Sequence, residues 1–419
     1  MPLMKSGNSK NISVGGGWLV ALLKGLIDKP DIEMHVSYVD RNIREVQKYS
    51  NGNVYHYAIP RKVHSLFKYD KSLESHYKQL ITEINPDIIH IHGTENTNAL
   101  AAIRSCPERL YVVSIQGLIS RISEHYHACI PLKYQKDLTI RDILNQDGAI
   151  SKGRKLKQGS KYEIEILEKV KYVMGRTTWD KACLNQINPT ASYYKDTRVL
   201  RKNFYENTWS LEKCQRYSIF MSQSASQIKG LHFILKALPY ILKSFPNTHL
   251  FVAGMNISRV FDLRNLLSQK TYWFYIRKLI KEYNLQRNVT FLGNLNSEEM
   301  CNAFLNSHVF VLSSCIENSP NALSEALALG VPSVASFVGG VADVISHNEN
   351  GFLYPFHEYY MMAHYICNLF ENDELCMRFS QESKSRASEI FSKENNVDAV
   401  YNSYLDILKK ERTKNDNPS

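Results

Sequence analysis

Two glutamates follow one apolar run of the sequence at a short spacing. Glu317 directly follows the apolar run HVFVLSS, and Glu325 lies eight positions later in an amphipathic segment that begins near Ser319 and Pro320. This pattern predicts a strand that leads into a helix, with both carboxylates near the first turn. Free N–H groups and the helix dipole attract anions there, and carboxylates accept hydrogen bonds from hydroxyls. A nucleotide-sugar offers both a diphosphate and hydroxyls.

Two further predicted strand-to-helix turns carry suitable residues. Gly339 and Gly340 follow the run VPSVAS, where the absence of side chains lets the backbone approach a phosphate. Lys229 begins the helix IKGLHFILKAL after YSIFMS and could neutralise a pyrophosphate. Ligands of open α/β sheets bind at the carboxyl ends of the strands, so the three turns are predicted to converge. Each feature alone is also common in ordinary turns.

Short β-branched runs alternate with amphipathic segments along the chain, which predicts βαβ units and parallel sheets. The series restarts near residues 205–215, and 419 residues exceed what one core usually supports. The predicted strands of the first series are IEMHVSYV, NVYHYAI, DIIHIHG, LYVVSIQG and KYVMGRT, and those of the second are YSIFMS, THLFVAG, NVTFLG, HVFVLSS and VPSVAS. Residues 1–14 contain no apolar strand before Gly15, so the first strand is expected to be missing or degenerate unless the given start is late.

The order of the motifs resembles that of a known family. Residues 317–343 resemble the signature E-x-x-P-x-x-x-x-E-A, G-x-P-V-x-A and G-G-x-x-E of retaining GT-B glycosyltransferases of family four, the glycosyl transferases group 1. The likeness extends to GGGWL, DIIHIHGTE, IKGLHFILKAL, NGFLY and FSKENNVDAVYNSYL. It implies an α/β fold of two Rossmann-like, doubly wound domains that face each other across a cleft. The expected boundaries are 1–208 for an acceptor-binding domain, 209–392 for a nucleotide-sugar-binding domain, 393–411 for a C-terminal helix that returns to the first domain, and 412–419 for a polar tail.

The resemblance also implies roles for individual residues. Glu325 would hold the donor ribose, Glu317 the hydroxyls of the transferred sugar, and Lys229 the diphosphate. The other donor-binding positions in the second domain would be Asn318, Ser319, Pro320, Asn321, Gln223, Gly339 and Gly340.

Residues of the first domain complete the implied site. Gly16 and Gly17 would close on the phosphates, and His92 at the end of DIIHIHG would face the cleft in a catalytic role. For His90 and His92, a strand histidine packed in the core is an equal alternative.

Three positions depart from the family pattern. Gln223 stands at the nearest match to an arginine that usually contacts the diphosphate, and Gln116 replaces a histidine that is common after the next N-terminal strand. Asp343 takes the place of the last glutamate in the glycine motif. The first two departures put one anion contact and one sugar contact in question.

By the resemblance, transfer would proceed with retention through a front-side displacement. The departing phosphate oxygen would take the proton of the acceptor while Lys229 and helix N–H groups stabilise the developing charge. Closure of the domains around the donor would exclude water. No cofactor or metal is expected, since no D-x-D follows a predicted strand and no His, Cys or Asp cluster has ligand spacing.

Composition narrows the location of the protein. Eight cysteines without a C-x-x-C pair indicate reduced thiols in a cytoplasmic protein. No apolar run reaches the ~18 residues that span a bilayer, and GGGWLVALLKGLI is typical of an amphipathic helix. The net charge of +10 is compatible with nucleic acid, an anionic membrane face or a phosphorylated ligand. Residues 151–161, SKGRKLKQGSK, are expected to form an exposed basic loop, either merely solvated or in contact with anions or a membrane.

The resemblance to the family implies a retaining hexosyltransferase. Its donor would be a UDP- or GDP-sugar, and its acceptor a glycan or lipid-linked glycan in surface polysaccharide or glycoconjugate biosynthesis, at the cytoplasmic face of the inner membrane. The segment SRISEHYHACIPLKYQKDLTIRDIL has aromatic and basic residues suited to such an acceptor. A non-catalytic nucleotide-sugar-binding subunit and a nucleotide-sugar epimerase of the same architecture remain alternatives. Nucleic acid is not an expected partner, because no motif with interleaved aromatics accompanies the basic residues.

Overall fold

The structure is a computed structural model. It describes residues 17–63, 65, 67–196, 199–254 and 270–416. By their contacts, these residues divide into two units. Among the described residues, unit 1 comprises those in the ranges 17–121, 156–199 and 392–416, and unit 2 comprises those in the ranges 122–155 and 200–391.

Helices and strands alternate along most of the chain. The helices are α1 (Gly17–Ile27), α2 (Ser72–Ile84), α3 (Asn98–Ser105), α4 (Ile119–His125), α5 (Ile140–Asn145), α6 (Ala149–Lys169), α7 (Thr178–Ile187), α8 (Asn203–Glu206), α9 (Leu231–Ser244), α10 (Thr271–Glu282), α11 (Ser297–Leu305), α12 (Asn321–Leu329), α13 (Tyr359–Glu371), α14 (Asp373–Ile390) and α15 (Lys393–Asp416). The strands are β1 (Met34–Asp40), β2 (Gln47–Asn51), β3 (Val54–Pro60), β4 (Ile89–His92), β5 (Tyr111–Ser114), β6 (Tyr172–Gly175), β7 (Ser192–Lys195), β8 (Gln215–Met221), β9 (His249–Ala253), β10 (Val289–Gly293), β11 (Ser307–Leu312), β12 (Ser333–Ser336) and β13 (Phe352–Tyr354).

The strands of unit 2 form one parallel sheet of order β10-β9-β8-β11-β12-β13. Numbered along the chain, this order is 3-2-1-4-5-6, which is the doubly wound Rossmann arrangement. The order reverses between β8 and β11, so the turns after these two strands flank the switch point, where such sheets bind ligands. Every residue of β11 is buried, as expected for a central strand with helices on both faces.

The strands of unit 1 form two sheets, of order β1-β3-β2 and β4-β5-β6-β7. All neighbouring pairs are parallel except β2 with β3. In a doubly wound sheet the first strand lies between the second and the fourth. When β1 is counted as the second strand of such a sheet and β4 as the fourth, no strand among the described residues of unit 1 corresponds to the first. The expected degenerate strand and Gly16 lie outside the described residues.

All ten strands predicted from apolar runs are present in the described residues, which confirms the α/β prediction. Strands β2, β7 and β13 were not predicted. Strand β2, QKYSN, is polar and fully exposed, so it has no apolar alternation to detect. Strand β13 has three residues, which is too short for a periodicity.

The C-terminal helix α15 belongs to unit 1, as the fold class predicts. Its residues Val397, Val400 and Ile407 share a core with Leu22 and Leu26 of α1. The side chain of Tyr404 bonds to His90 Nδ1 of β4 at 2.5 Å, and Tyr194 donates to Asp406 at 2.6 Å. Apolar packing therefore joins α15 to α1, and hydrogen bonds join it to β4 and β7.

Residues 122–155 form part of unit 2, whereas the sequence places them in a first domain of residues 1–208. The imidazole Nε2 of His232 lies 2.8 Å from the Ala128 carbonyl, and the Gln227 amide donates to the Tyr126 carbonyl at 3.2 Å. The backbone N–H of Thr271 donates to Asp142 Oδ2 at 2.6 Å. These contacts join residues that are about 100 positions or more apart, a separation that sequence periodicity does not detect.

The prediction of an exposed basic loop at residues 151–161 is wrong, because these residues lie within helix α6. Gly153, Leu156 and Gly159 are buried, so their spacing of three is that of one helix face. Arg154 and Lys157 point to solvent. The glycines that suggested a loop permit close packing, since a Cβ at Gly159 would lie within about 3 Å of Phe67.

No helix in the described ranges combines the length and the apolar character needed to cross a membrane. The eight cysteines are all free, and six of them are buried.

Glu163 is a buried carboxyl group at the start of helix α4. Its oxygens accept hydrogen bonds from the backbone N–H groups of Ile119 at 2.7 Å and Ser120 at 3.0 Å, and from the Ser120 hydroxyl at 2.5 Å. Burial nevertheless raises the pKa of Glu163 to about 7, against the opposing effect of these hydrogen bonds, and the nearby charge of Glu95 adds to the rise.

This raised pKa predicts a pH-dependent stability. The folded state binds more protons than the unfolded state between the ordinary glutamate pKa and about 7, so Glu163 favours folding less as the pH rises through this window. We expect the free energy of unfolding of the wild type, minus that of Glu163→Gln, to decrease from pH 5 to pH 8 in urea titrations. Glu165→Gln is the control, because Glu165 pairs with Arg104 near the surface at 2.6 Å. A constant difference for Glu163→Gln would contradict the raised pKa.

Candidate functional site

Lys229 and Glu317 form an ion pair at the switch point of the unit 2 sheet. Lys229 ends a short 3₁₀ turn after β8, and Glu317 lies in the loop after β11. The ammonium Nζ lies 2.5 Å from Glu317 Oε1, and the Ser314 hydroxyl donates to the same oxygen at 2.7 Å. Both charged side chains are mostly but not fully buried, at 25% and 11% exposure. A cation and a carboxylate are thus held at one point that solvent reaches.

Backbone contacts hold the Glu317 loop against the Lys229 turn. The N–H of Cys315 donates to the Ile228 carbonyl at 2.8 Å. The Ser313 hydroxyl lies 3.1 Å from the carbonyl oxygens of Lys229 and Gly230. The pairing of Lys229 with Glu317 is therefore supported by the main chain as well as by charge.

The same loop contacts the turn that follows β12. The N–H of Gly340 donates to the Glu317 carbonyl at 3.2 Å, and the Ser336 hydroxyl donates to the Ser314 carbonyl at 2.6 Å. The structure therefore brings together the three turns that carry Lys229, Glu317 and the glycine pair.

Two glycines make these approaches possible. Gly230 and Gly339 have φ angles of +76° and +51°, in the left-handed region that side chains disfavour. A Cβ would lie 1.8 Å from the Ser313 carbonyl oxygen at Gly230, and 1.7 Å from the Glu317 carbonyl oxygen at Gly339. Glycine is thus required at both positions by conformation and by space.

Residues 318–321 lead from this loop into helix α12. Asn318 and Pro320 are buried, Ser319 is half-buried and Asn321 is exposed. Pro320 is the N-cap residue and provides no side-chain hydrogen bond to the first turn. Because no such cap competes, the N–H groups and dipole of this turn favour an anion in front of α12.

Glu325 forms an ion pair that the sequence does not indicate. Arg201 Nε and Nη2 donate to Glu325 Oε1 at 2.9 and 2.7 Å, and Glu325 is 7% exposed. Arg201 and Ser314 are the polar residues here that sequence reasoning missed. Ser314 could be found, because it lies within the run HVFVLSS before Glu317. Arg201 lies 124 positions from Glu325, so no local pattern connects them.

Gln223 and Asp343 lie on the same turns as the central pair. Gln223 is exposed after β8, six positions before Lys229. Asp343 ends the 3₁₀ turn Val341–Asp343 after the glycine pair and is half-buried. The structure places both residues as the motif order predicts, and their contacts with a ligand stay predictions.

His92 and Gly17 belong to unit 1. Gly17 begins helix α1, and His92 is an exposed residue at the end of β4, with its ring centroid 4.0 Å from that of His90. Although the residue is partly in solvent, the protein around its imidazole lowers the pKa of His92 by desolvation, and repulsion from Arg176 adds to the effect. Its imidazole is thus neutral near pH 7, as a hydrogen-bond acceptor or base must be.

His90 is a strand histidine held within unit 1 by hydrogen bonds, which is the alternative to a role at the site. Its Nε2 lies 2.7 Å from the Ser114 hydroxyl and its Nδ1 lies 2.5 Å from the Tyr404 hydroxyl, while Ser114 donates to Asp196 at 3.2 Å. Burial lowers the pKa of His90 well below its ordinary value, so the ring is neutral. One ring nitrogen then donates to Ser114 and the other accepts from Tyr404.

Within the described ranges, no group of three or more His, Cys, Asp or Glu side chains is arranged as a metal site.

Comparison with known proteins identifies the fold. The structure is similar to sucrose-phosphate synthase of Thermosynechococcus elongatus, with a TM-score of 0.69 and 15% identity over 94% of each chain. It is also similar to HepE of Anabaena in complex with UDP-glucose, with a TM-score of 0.59 and 15% identity over 79% of this chain and 82% of that one. The protein therefore has the GT-B fold of glycosyltransferases.

Sequence comparison finds similarity to glycosyltransferases in the second half of the chain. Residues 204–386 match the family described as glycosyl transferases group 1. An uncharacterized glycosyltransferase of Methanocaldococcus jannaschii is 30% identical over 176 residues, which are 42% of this chain and 41% of the relative. The capsular polysaccharide biosynthesis glycosyltransferase CapM of Staphylococcus aureus is 24% identical over 42% of this chain and 43% of CapM. These matches span less than half of each relative, and the matched residues 204–386 all lie within unit 2.

The close approach at Gly339 generates a stability prediction. Alanine in the left-handed region costs about 1–2 kcal/mol, and here its Cβ would also force the Glu317 carbonyl to move. We expect Gly339→Ala to lower the free energy of unfolding by clearly more than this amount, as measured by denaturant titration.

The matched control is Gly52→Ala. Gly52 has a similar φ of +60°, but a Cβ added there would have no atom within 4 Å. This change should cost the conformational strain alone. Equal losses for the two substitutions would show that the contact with Glu317 is not a structural constraint.

Proposed function

We propose that the protein is a glycosyltransferase that takes a sugar from a UDP- or GDP-sugar. One observation carries the proposal: in a region that matches the group 1 family, a lysine, a carboxylate and the N-terminus of α12 lie at the switch point of a doubly wound sheet. This arrangement offers positive potential to a diphosphate and hydrogen-bond acceptors to hydroxyls. The similar fold of HepE was solved with UDP-glucose, which supports a nucleotide-sugar donor.

In this proposal, Lys229 binds the diphosphate and Glu317 binds hydroxyls of the transferred sugar. Their ion pair holds each side chain in place before the donor arrives, and a phosphate oxygen would take over part of the bonding of the ammonium. Glu325 binds the ribose, with Arg201 fixing the orientation of its carboxylate. The backbone of residues 318–321 and of the glycine pair contacts the phosphates.

The acceptor we propose is a glycan or a lipid-linked glycan bound through unit 1, the unit that contains His92. The similarity to CapM, which is named for capsular polysaccharide biosynthesis, supports a polysaccharide role. We place the reaction at the cytoplasmic face of a membrane. The exposed cations of helix α6, Arg154, Lys157 and Lys161, would attract anionic headgroups there.

Donor binding can be tested with Glu325. A ligand that binds only the folded state raises the melting temperature, so one class among UDP-, GDP- and ADP-sugars should stabilise the wild type. Glu325→Gln should raise the donor concentration needed for the same increase in melting temperature by at least about tenfold, because the ribose hydroxyls lose a charged acceptor. The substitution also removes the charge that pairs with Arg201.

Glu298→Gln is the matched control, since Glu298 is an exposed residue in the first turn of α11. It should leave the donor-induced shift unchanged. If none of the donors raises the melting temperature, the protein would be one that has lost donor binding. A shift without sugar transfer would favour a non-catalytic subunit, and conversion of the donor without an acceptor would favour an epimerase.

Retention and independence from metal form a separate prediction. Lys229 and the N-terminus of α12 are proposed to stabilise the leaving diphosphate, a task for which other transferases use a divalent cation. We therefore expect transfer to continue in excess EDTA, and the product to keep the anomeric configuration of the donor in proton NMR spectra. Loss of transfer in EDTA with recovery on adding Mg²⁺ or Mn²⁺ would contradict the first expectation, and an inverted product would contradict the second.

A further inference from the structure

Residues 132–144 of unit 2 expose a cluster of aliphatic side chains. Seven Leu, Ile and Met side chains are exposed in the described part of the chain, and five of them lie within this short segment. We call these five residues the apolar patch: Leu132, Leu138, Ile140, Ile143 and Leu144. Their exposed fractions run from 55% to 78%, and such a concentration in one short segment is a mark of an interaction surface.

The backbone of the segment is held so that the patch faces outward. Asp142 is fully buried in helix α5, where its carboxylate accepts a hydrogen bond from the N–H of Thr271 at 2.6 Å. The Thr271 hydroxyl accepts in turn from the N–H of Leu138 at 3.0 Å. Because Ile140 and Ile143 lie on other faces of α5 than Asp142, anchoring Asp142 inward leaves both side chains in solvent. Their exposure is therefore built into the fold.

The three aspartates around the patch are buried or held by internal contacts. Residues 131–158 contain seven lysines and arginines but three aspartates. Besides the buried Asp142, Asp147 pairs with Arg141 at 3.0 Å and with Lys270 at 3.3 Å. Asp137 accepts hydrogen bonds from the Gly148 N–H and the Ser151 hydroxyl. Little negative charge is left to repel an anionic surface.

Basic side chains, in contrast, border the patch and point to solvent. Lys133 and Lys136 are exposed between its members, and Arg154 is exposed on the first turns of α6. Lys155 donates to the carbonyl of Asn145, the last residue of α5, at 2.6 Å. This bond places the basic start of α6 beside the apolar end of α5.

We propose that the apolar patch enters the headgroup region of an anionic membrane while the bordering lysines and arginines contact the lipid phosphates. Exposed aliphatic residues flanked by cations have this chemistry, since burial of apolar area and attraction to anionic lipids act together. A neutral protein partner would use the aliphatic residues but leave the surrounding positive charge without a counterpart. The proposal is independent of the reaction, because binding to vesicles requires no donor.

Vesicle cosedimentation of the full chain tests the proposal. The probe is vesicles of phosphatidylcholine with about one third phosphatidylglycerol, and pure phosphatidylcholine vesicles serve as the comparison. We expect the wild type to bind the anionic vesicles. Ile143→Asn/Leu144→Asn should lower the partition coefficient at least about tenfold, because two inserted side chains become polar. Met377→Gln is the matched control, since Met377 is 54% exposed in unit 2 outside the patch.

Lys133→Gln/Lys136→Gln separates the two contributions. It should weaken binding to anionic vesicles and leave the small affinity for neutral vesicles unchanged. All substituted positions are exposed, so melting temperatures close to that of the wild type will confirm that the variants fold.

Three results would overturn the proposal. The first is a wild type that does not bind anionic vesicles, and the second is an Ile143→Asn/Leu144→Asn variant that binds as well as Met377→Gln. The third comes from sedimentation velocity without lipid: a wild-type dimer that this double variant turns into a monomer would assign the patch to contact with a second copy of the chain.

Discussion

The loop at residues 313–317 is the constraint on which the candidate site depends. Its backbone and serine hydroxyls bond to the turn after β8 on one side and to the turn after β12 on the other. These contacts need a sheet in which β8, β11 and β12 are adjacent and parallel, so that their carboxyl ends lie at one edge. They also need glycine at positions 230 and 339, where a Cβ would overlap the loop. The ion pair of Lys229 with Glu317, the last residue of this loop, is then held in place by the geometry of the main chain.

Charge is handled differently at the site and at the surface of the same unit. Lys229 with Glu317, and Arg201 with Glu325, are pairs of opposite charge in which removal of one partner leaves a largely buried charge that costs about 3–5 kcal/mol. Such pairs resist being separated unless a ligand supplies a replacement partner. Around the apolar patch, Asp142 is buried and Asp147 is paired, whereas Lys133, Lys136 and Arg154 stay exposed. The first arrangement suits a small anion and the second suits an extended anionic surface.

The two units also differ in how their sheets are completed. Unit 2 has a continuous six-stranded order, and its core strands are buried on both faces. Unit 1 has two shorter sheets, with α1 and α15 packed together through Leu22, Leu26 and Val397. Residues 122–155 leave the N-terminal half of the chain to pack against helices α9 and α10 of unit 2. Sequence halves and structural units therefore do not coincide.

The sequence by itself determined the strand series, the α/β class and the three turns that carry Lys229, Glu317 and the glycine pair. Each of these has a local cause: an apolar run marks a buried strand, and a polar or glycine residue after it marks the sheet edge. The tertiary structure alone decided that Arg201 pairs with Glu325, that residues 122–155 join unit 2, and that residues 151–161 are helical. The first two features rest on contacts between distant positions, which leave no signal within a short window of sequence. The third was missed because two of the three buried residues on that helix face are glycines, which usually mark a loop.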